Sequence, residues 1–122
     1  MEIVKGETAT FEGTAYSYWT GVASTSTIAD ITGATIKTYI KRNINDADNA
    51  AVITITGTIV TPAAGLFRST LLASDTNGLT EITDKPVDWY FEHVVKLSDL
   101  TTYIRSGVQF LTILPNVGKT LF

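Results

Sequence analysis

The feature that most constrains this chain is a period of two that recurs along most of its length. In the stretch Ala34 to Lys41, Ala34, Ile36, Thr38 and Ile40 alternate with Thr35, Lys37, Tyr39 and Lys41. Successive side chains of an extended strand point to opposite faces, so a strand with one buried face explains this pattern and a helix does not. The segment Val87 to Leu97 repeats it, with Val87, Trp89, Phe91, His93 and Val95 on one side and Asp88, Tyr90, Glu92, Val94 and Lys96 on the other. From Glu7 to Trp19, Ala9, Phe11, Ala15 and Trp19 alternate with Thr8, Thr10, Thr14, Tyr16 and Tyr18, which predicts a long first strand with Gly13 as its point of interruption.

Composition points the same way. Threonine fills 21 of the 122 positions, and with the many isoleucines and valines it suits half-buried pleated surfaces, where β-branched side chains lose little freedom. Ile53, Ile55 and Ile59 share a face of Ala51 to Val60, Leu66 to Leu72 forms the next strand, and Tyr103 to Leu114 supplies a final strand or pair. Pro62-Ala63-Ala64-Gly65 marks a turn. The longest break, Ser74 to Pro86, holds Asn77-Gly78 and Asp84-Lys85-Pro86. It is too polar to be buried and is read as a surface loop with at most one helical turn. No segment has a helical period. Seven to eight short strands separated by turn signals predict an all-β protein, an antiparallel β-sandwich with a barrel as the alternative. Phe11, Ile36, Ile53, Ile55, Phe67, Trp89 and Phe91 are expected to share one core. The chain is read as a single domain over residues 1–122, with 115–122 an extended C-terminal tail.

Several function classes are disfavoured. There is no cysteine, hence neither disulfide framework nor thiolate metal site. A net charge of −3 and a pI near 4.9 argue against a phosphate-backbone binder, which carries a basic stripe. No apolar run reaches the roughly 18 residues of a membrane helix, and the opening MEIVKGETAT has no basic region followed by an apolar one. Asn45, Asp46, Asp48 and Asn49 place oxygens in one loop, but the glycine and distant glutamate of a helix-loop-helix calcium site are missing, and a solvated hairpin loop is expected. Gly118-Lys119-Thr120 lacks the glycine five residues earlier that a phosphate loop needs, since Ile113 stands there. Asp84, Asp88, Glu92 and Asp99 are read as solvated carboxylates on strand faces and loops rather than a glycosidase pair. No G-x-S-x-G elbow occurs, and His93, the only histidine, is read as a neutral imidazole hydrogen-bonded at the core. No catalytic residue, metal ligand or cofactor is assigned, and neither nucleic acid nor membrane is expected as a partner.

The side chains that remain suggest contact surfaces. Tyr16, Tyr18, Tyr39 and Tyr90 fall on the faces opposite the expected core and are interleaved with threonines. Cross-strand pairing explains such residues as well as an interface does. The first strand carries no lysine, arginine or proline and only Glu12 as an interior charge, so Thr10 and Thr14 mark an edge open to another chain. Leu121-Phe122 ends the tail as an apolar pair expected to dock on a neighbouring subunit. The candidate interface is therefore Thr10, Thr14, Tyr16, Tyr18, Tyr39, Tyr90, Leu121 and Phe122.

Five short motifs in order add a family likeness. They are Lys5-Gly6-Glu7-Thr8, Asp30-Ile31-Thr32-Gly33-Ala34-Thr35-Ile36, Thr61-Pro62-Ala63-Ala64-Gly65, Ala73-Ser74-Asp75-Thr76 and Trp89-Tyr90-Phe91-Glu92. Together, over about Val4 to Pro115, the chain resembles small virion proteins of tailed bacteriophages, in particular the immunoglobulin-like N-terminal domain of baseplate upper proteins and related tail or neck proteins. Glu7 stands where that pattern has Asp, and Ile31 where it has Leu. The resemblance implies an immunoglobulin-like β-sandwich and a non-enzymatic part of the virion, made in the host cytoplasm. Its partners would be other virion proteins and further copies of itself. A capsid-decorating protein of the phage head and a carbohydrate-binding adhesion module are the alternatives.

Overall fold

The computed structural model describes residues 1–115, and the expected docking pair Leu121-Phe122 and the Gly118-Lys119-Thr120 motif lie outside them. The protein is mostly β. Eleven strands form: β1 (Glu2–Val4), β2 (Ala9–Thr14), β3 (Tyr16–Tyr18), β4 (Thr27–Ile28), β5 (Thr35–Lys41), β6 (Ile53–Thr56), β7 (Thr58–Thr61), β8 (Leu66–Leu71), β9 (Val87–Lys96), β10 (Tyr103–Arg105) and β11 (Gln109–Leu114). Among the described residues one α-helix, α1 (Ala73–Asn77), has five residues, beside three short 3-10 turns.

The larger sheet runs in the order β1-β11-β9-β5-β6, with β10 beside the far half of β9, and it curls into half a barrel. The smaller sheet is β2-β8-β7. The two are joined on one side by the chain itself, because β6 leads into β7 through the single residue Gly57. The Gly57 N–H donates to Ile36 O at 2.9 Å, and a Cβ there would fall 2.7 Å from Ile36 Cγ2 and 2.8 Å from Ser69 Oγ. Only glycine allows a corner this close to the facing strands. On the opposite side β2 pairs with β8 alone. A round of strands from β2 through β8, β7, β6, β5, β9 and β11 to β1 therefore begins and ends at a seam.

The core sits in two clusters. Ile3, Phe11, Ile40, Ile53, Ile55, Leu71, Trp89, Phe91, Leu111 and Ile113 fill one end. Ala15, Ala29, Ile31, Ile36, Phe67 and Val95 fill the other. The seven residues expected to share one core are all buried, but they divide between these clusters.

Three other expectations need correction. The first strand is not continuous: it splits at Ala15, not Gly13, because the Ala15 N–H turns to Gly65 O (2.8 Å) and Ala15 O accepts from the Ala29 N–H (3.0 Å). Gly13 stays within β2 since the Phe67 ring lies across it, 2.4 Å from where a Cβ would stand. The break from Ser74 to Pro86 is not all surface. Thr76 and Ile82 are buried, the Gly6 N–H donates to Thr76 Oγ1 at 2.8 Å, and Lys5 Nζ donates to Ile82 O at 2.9 Å. This loop covers one end of the larger cluster. Finally, not all pairing is antiparallel, for β1 runs parallel to β11.

The two clusters set the stability of the fold. Ile36→Ala and Phe91→Ala should each cost about 2–5 kcal/mol, a large share of a small domain's stability. Urea unfolding measures both. A loss below about 0.5 kcal/mol at both sites would be inconsistent with the burial described.

Candidate interaction site

The seam opens a groove whose walls come from two edges. One wall is β2, continued by Ala15, Tyr16 and Trp19. The other runs from β10 to the first residue of β11, with Ile104, Arg105, Ser106 and Gln109 lining the groove and Met1 beyond them, since β1 covers the rest of β11. The interruption has a local cause. Between β10 and β11, which both pair with β9, Gly107 takes φ +76°. Ser106 then holds β9 in place of a regular ladder: its N–H donates to His93 O and its Oγ accepts the His93 N–H, both at 3.0 Å. The part of the groove towards Trp19 measures about 380 Å³. Phe67 and His93 form the floor throughout, joined by Phe91 at the end nearer Met1.

His93 belongs to a buried polar trio lying between the two apolar clusters. Its Nδ1 lies 2.7 Å from Thr38 Oγ1, which lies 2.6 Å from Ser69 Oγ. Thr38 and Ser69 are fully buried and His93 is 5 % exposed. Alternation on β5, β8 and β9 aims all three inward, so the trio ties both sheets together. The rings of Phe11, Phe67 and Phe91 meet the imidazole edge-on at 6.1, 5.2 and 5.5 Å. Burial in these surroundings pulls the His93 pKa below its ordinary value of 6.5. Sequence reasoning places His93 at the core but misses Thr38 and Ser69 as its partners. Their signal is a hydroxyl at an inward position of an otherwise aliphatic face.

The outer face of the larger sheet carries a second polar group of residues. Glu92, expected to be solvated, is buried. It sits 3.5 Å from Lys41 Nζ and accepts from Arg105 Nη1 at 2.9 Å. Asp48, from the loop between β5 and β6, completes the cluster through Lys41 Nζ (2.9 Å) and Arg105 Nη2 (2.8 Å). The loop expected to be a solvated hairpin thus contributes one carboxylate to a folded ion cluster, and Arg105 beside Asp48 lowers that carboxyl's pKa. Asp99 instead caps its own turn. Acceptance from Thr102 Oγ1 and from the Thr101 and Thr102 N–H groups holds its pKa at about 2.

The expected interface residues lie on different surfaces. Thr10 and Thr14 lie on the free edge of β2. Tyr16 and Tyr18 are on the small β3–β4 hairpin, where the Tyr16 ring packs at a tilt, 4.9 Å away, against Trp19, itself 56 % exposed. Tyr39 and Tyr90 are half-buried on the outer face of the larger sheet. Tyr90 packs at 5.6 Å against Phe110, which is 71 % exposed. Neither Trp19 nor Phe110 stands out in the sequence as an exposed ring, because Trp19 alternates with core residues and Phe110 lies within an apolar run.

Among the described residues no cluster of three metal-ligating side chains occurs, and no helix is long and apolar enough to cross a membrane. In comparison with known proteins, no protein-family model matches the chain, and no curated protein matches it significantly.

The buried imidazole gives stability a defined pH dependence. Its folded pKa is depressed, so its stabilising contribution is full above about pH 6.5 and is lost as pH falls towards the folded value. The unfolding free energy from urea titrations should be flat from pH 8 to about 6.5 and decline towards pH 5, by at most about 1.4 kcal/mol per pH unit for one proton. His93→Gln should flatten that decline. An unchanged slope in this variant would mean that another group titrates.

Proposed function

We propose that the chain is a non-enzymatic structural component of a tailed-bacteriophage virion, of the tail, baseplate or neck, that works through contacts between subunits. In this reading the two sheets form an immunoglobulin-like sandwich. The observation that carries the proposal is the exposure of large aromatic rings on two surfaces. Phe110 stands 71 % exposed with Tyr90 packed beside it, and Tyr18 and Trp19 are 66 % and 56 % exposed on the hairpin. Leaving rings of this size in water is unfavourable unless a partner covers them, and aromatic side chains are enriched at the centres of interfaces. The resemblance carried by the five ordered motifs supports a particle as the setting, and in this reading copies are arranged by symmetry and head-to-tail contacts close a ring. Each contact can then be weak, because the particle itself supplies a high effective concentration.

One observation favours a second reading, a carbohydrate-binding adhesion module. The exposed Trp19 indole stands by the groove beside Thr14, Arg105 and Ser106, an aromatic plane next to polar groups. A glycan array separates the two readings, since retention of a defined sugar by the isolated chain would favour adhesion.

The assembly reading is tested with Phe110→Lys. Because Phe110 is exposed, the variant should keep the wild-type urea midpoint. It should also be incorporated at least tenfold less into particles of the phage that encodes it, measured by mass spectrometry of purified virions. Wild-type incorporation of the folded variant, or absence of the wild-type chain from virions, would contradict the proposal.

A further inference from the structure

We infer that the seam beside β2 takes an extended, uncharged strand of another polypeptide, which pairs with the β2 edge and lies over Phe67, Phe91 and His93. The inference rests on the assembly reading and names where one contact is made. Its first support is topological. The round of strands is joined at Gly57 and, where β1 does not cover β11, open between β2 and the stretch from β10 to Gln109, so one added strand would lie between the two walls. Pairing requires main-chain groups that are still free. β2 has a single partner strand among the described residues, and neither proline nor an unpaired charge guards its other side. Its one charge, Glu12, is already held by Arg68 at 2.8 Å.

The second support is an unpartnered group in the floor of the groove. Three hydrogens must be placed among Ser69, Thr38 and His93. If Ser69 donates to Thr38 and Thr38 donates to Nδ1, both hydroxyl hydrogens have an acceptor within the trio, and the third hydrogen stays on Nε2, which points out of it. The reverse order leaves the Ser69 hydrogen without an acceptor in the trio. We therefore assign the Nε2–H tautomer, in keeping with the rule that buried hydroxyls are satisfied. Nε2 has no hydrogen-bond partner among the described residues. Yet no buried side-chain nitrogen or oxygen there lacks one, so Nε2 is the edge of the ring that reaches the groove. His93 thus presents a neutral donor, 95 % buried as a residue, to whatever lies above it.

These features specify the occupant's chemistry. The donor asks for an acceptor such as a peptide carbonyl or a side-chain amide. The aromatic floor takes small or aliphatic side chains at every second position. Both charged side chains along the walls are satisfied, Glu12 by Arg68 and Arg105 by Asp48 and Glu92, so a charged side chain entering the groove between them would lose water and gain no side-chain partner. The groove is matched to an uncharged strand. A glycan would use the donor and the Trp19 ring but has no use for the β2 edge.

The test is selection from a ribosome-displayed random octapeptide library on the immobilised full-length chain, followed by titration of the enriched peptides. Enriched sequences should be uncharged with alternating small or aliphatic residues. Thr14→Lys, which puts a charge on the edge at a partly exposed site, should weaken their binding at least tenfold without moving the urea midpoint. His93→Gln, which still carries a side-chain donor, should weaken it less than His93→Phe. Failure to enrich any peptide, or peptides that bind Thr14→Lys as well as wild type, would overturn the inference. So would their displacement by a sugar that binds Thr14→Lys unchanged. If the seam fails these tests while Phe110→Lys still reduces incorporation, the assembly reading stands and only the docking site is wrong.

Discussion

The corner at Gly57 is the constraint on which the rest of this structure depends. By passing from β6 to β7 through one residue that packs against Ile36 and Ser69, the chain serves both sheets on one side. On the other side the chain crosses by the turn at Lys5–Thr8 between β1 and β2, but among the described residues no strand pairing joins the two sheets there. Two curved sheets joined along one side can pack a core, but they leave two strand edges facing each other across a gap. The seam therefore follows from topology rather than from the chemistry of any side chain along it.

A gap beside a core exposes whatever lies at its centre, and here that position is filled by polar groups that are already paired. The Thr38–Ser69–His93 trio bridges β5, β8 and β9 where the two apolar clusters meet. A fully hydrogen-bonded polar group fixes strand register more sharply than methyl groups do, because a slip would bury unpaired hydroxyls at about 1–3 kcal/mol each. On the other face of β9, Glu92, Lys41, Arg105 and Asp48 form their own cluster. The most buried strand thus carries a polar tie on each face. Buried ion pairs are weak sources of net stability, so the second tie acts mainly to hold the β5–β6 loop over the sheet.

Alternation alone makes β5 and the inner face of β9 legible in the sequence, since Ile36, Ile40, Trp89 and Phe91 lie where their spacing puts them. What alternation does not reveal is non-local. Glu92 and Val94 occupy outward positions and are nonetheless buried, and Asp48, far along the chain, reaches over that face to Lys41 and Arg105. The split at Ala15 depends on hydrogen bonds to Gly65 and Ala29, residues on separate segments. Thr10 and Thr14 are recognisable as edge residues from the lack of guarding charges. The groove beside them is not, because it needs the interruption between β10 and β11 as its second wall.

The central claim is that β2 is a free edge in the isolated chain. Amide hydrogen exchange along Ala9–Thr14, followed by NMR on the monomer, tests it most directly. In a strand with one partner, alternate N–H groups point away from that partner, so protection should alternate along β2, with one set bonded to β8 and the other exchanging orders of magnitude faster. Uniform strong protection along the whole strand would contradict the account, because it would mean that both sides of β2 are already paired.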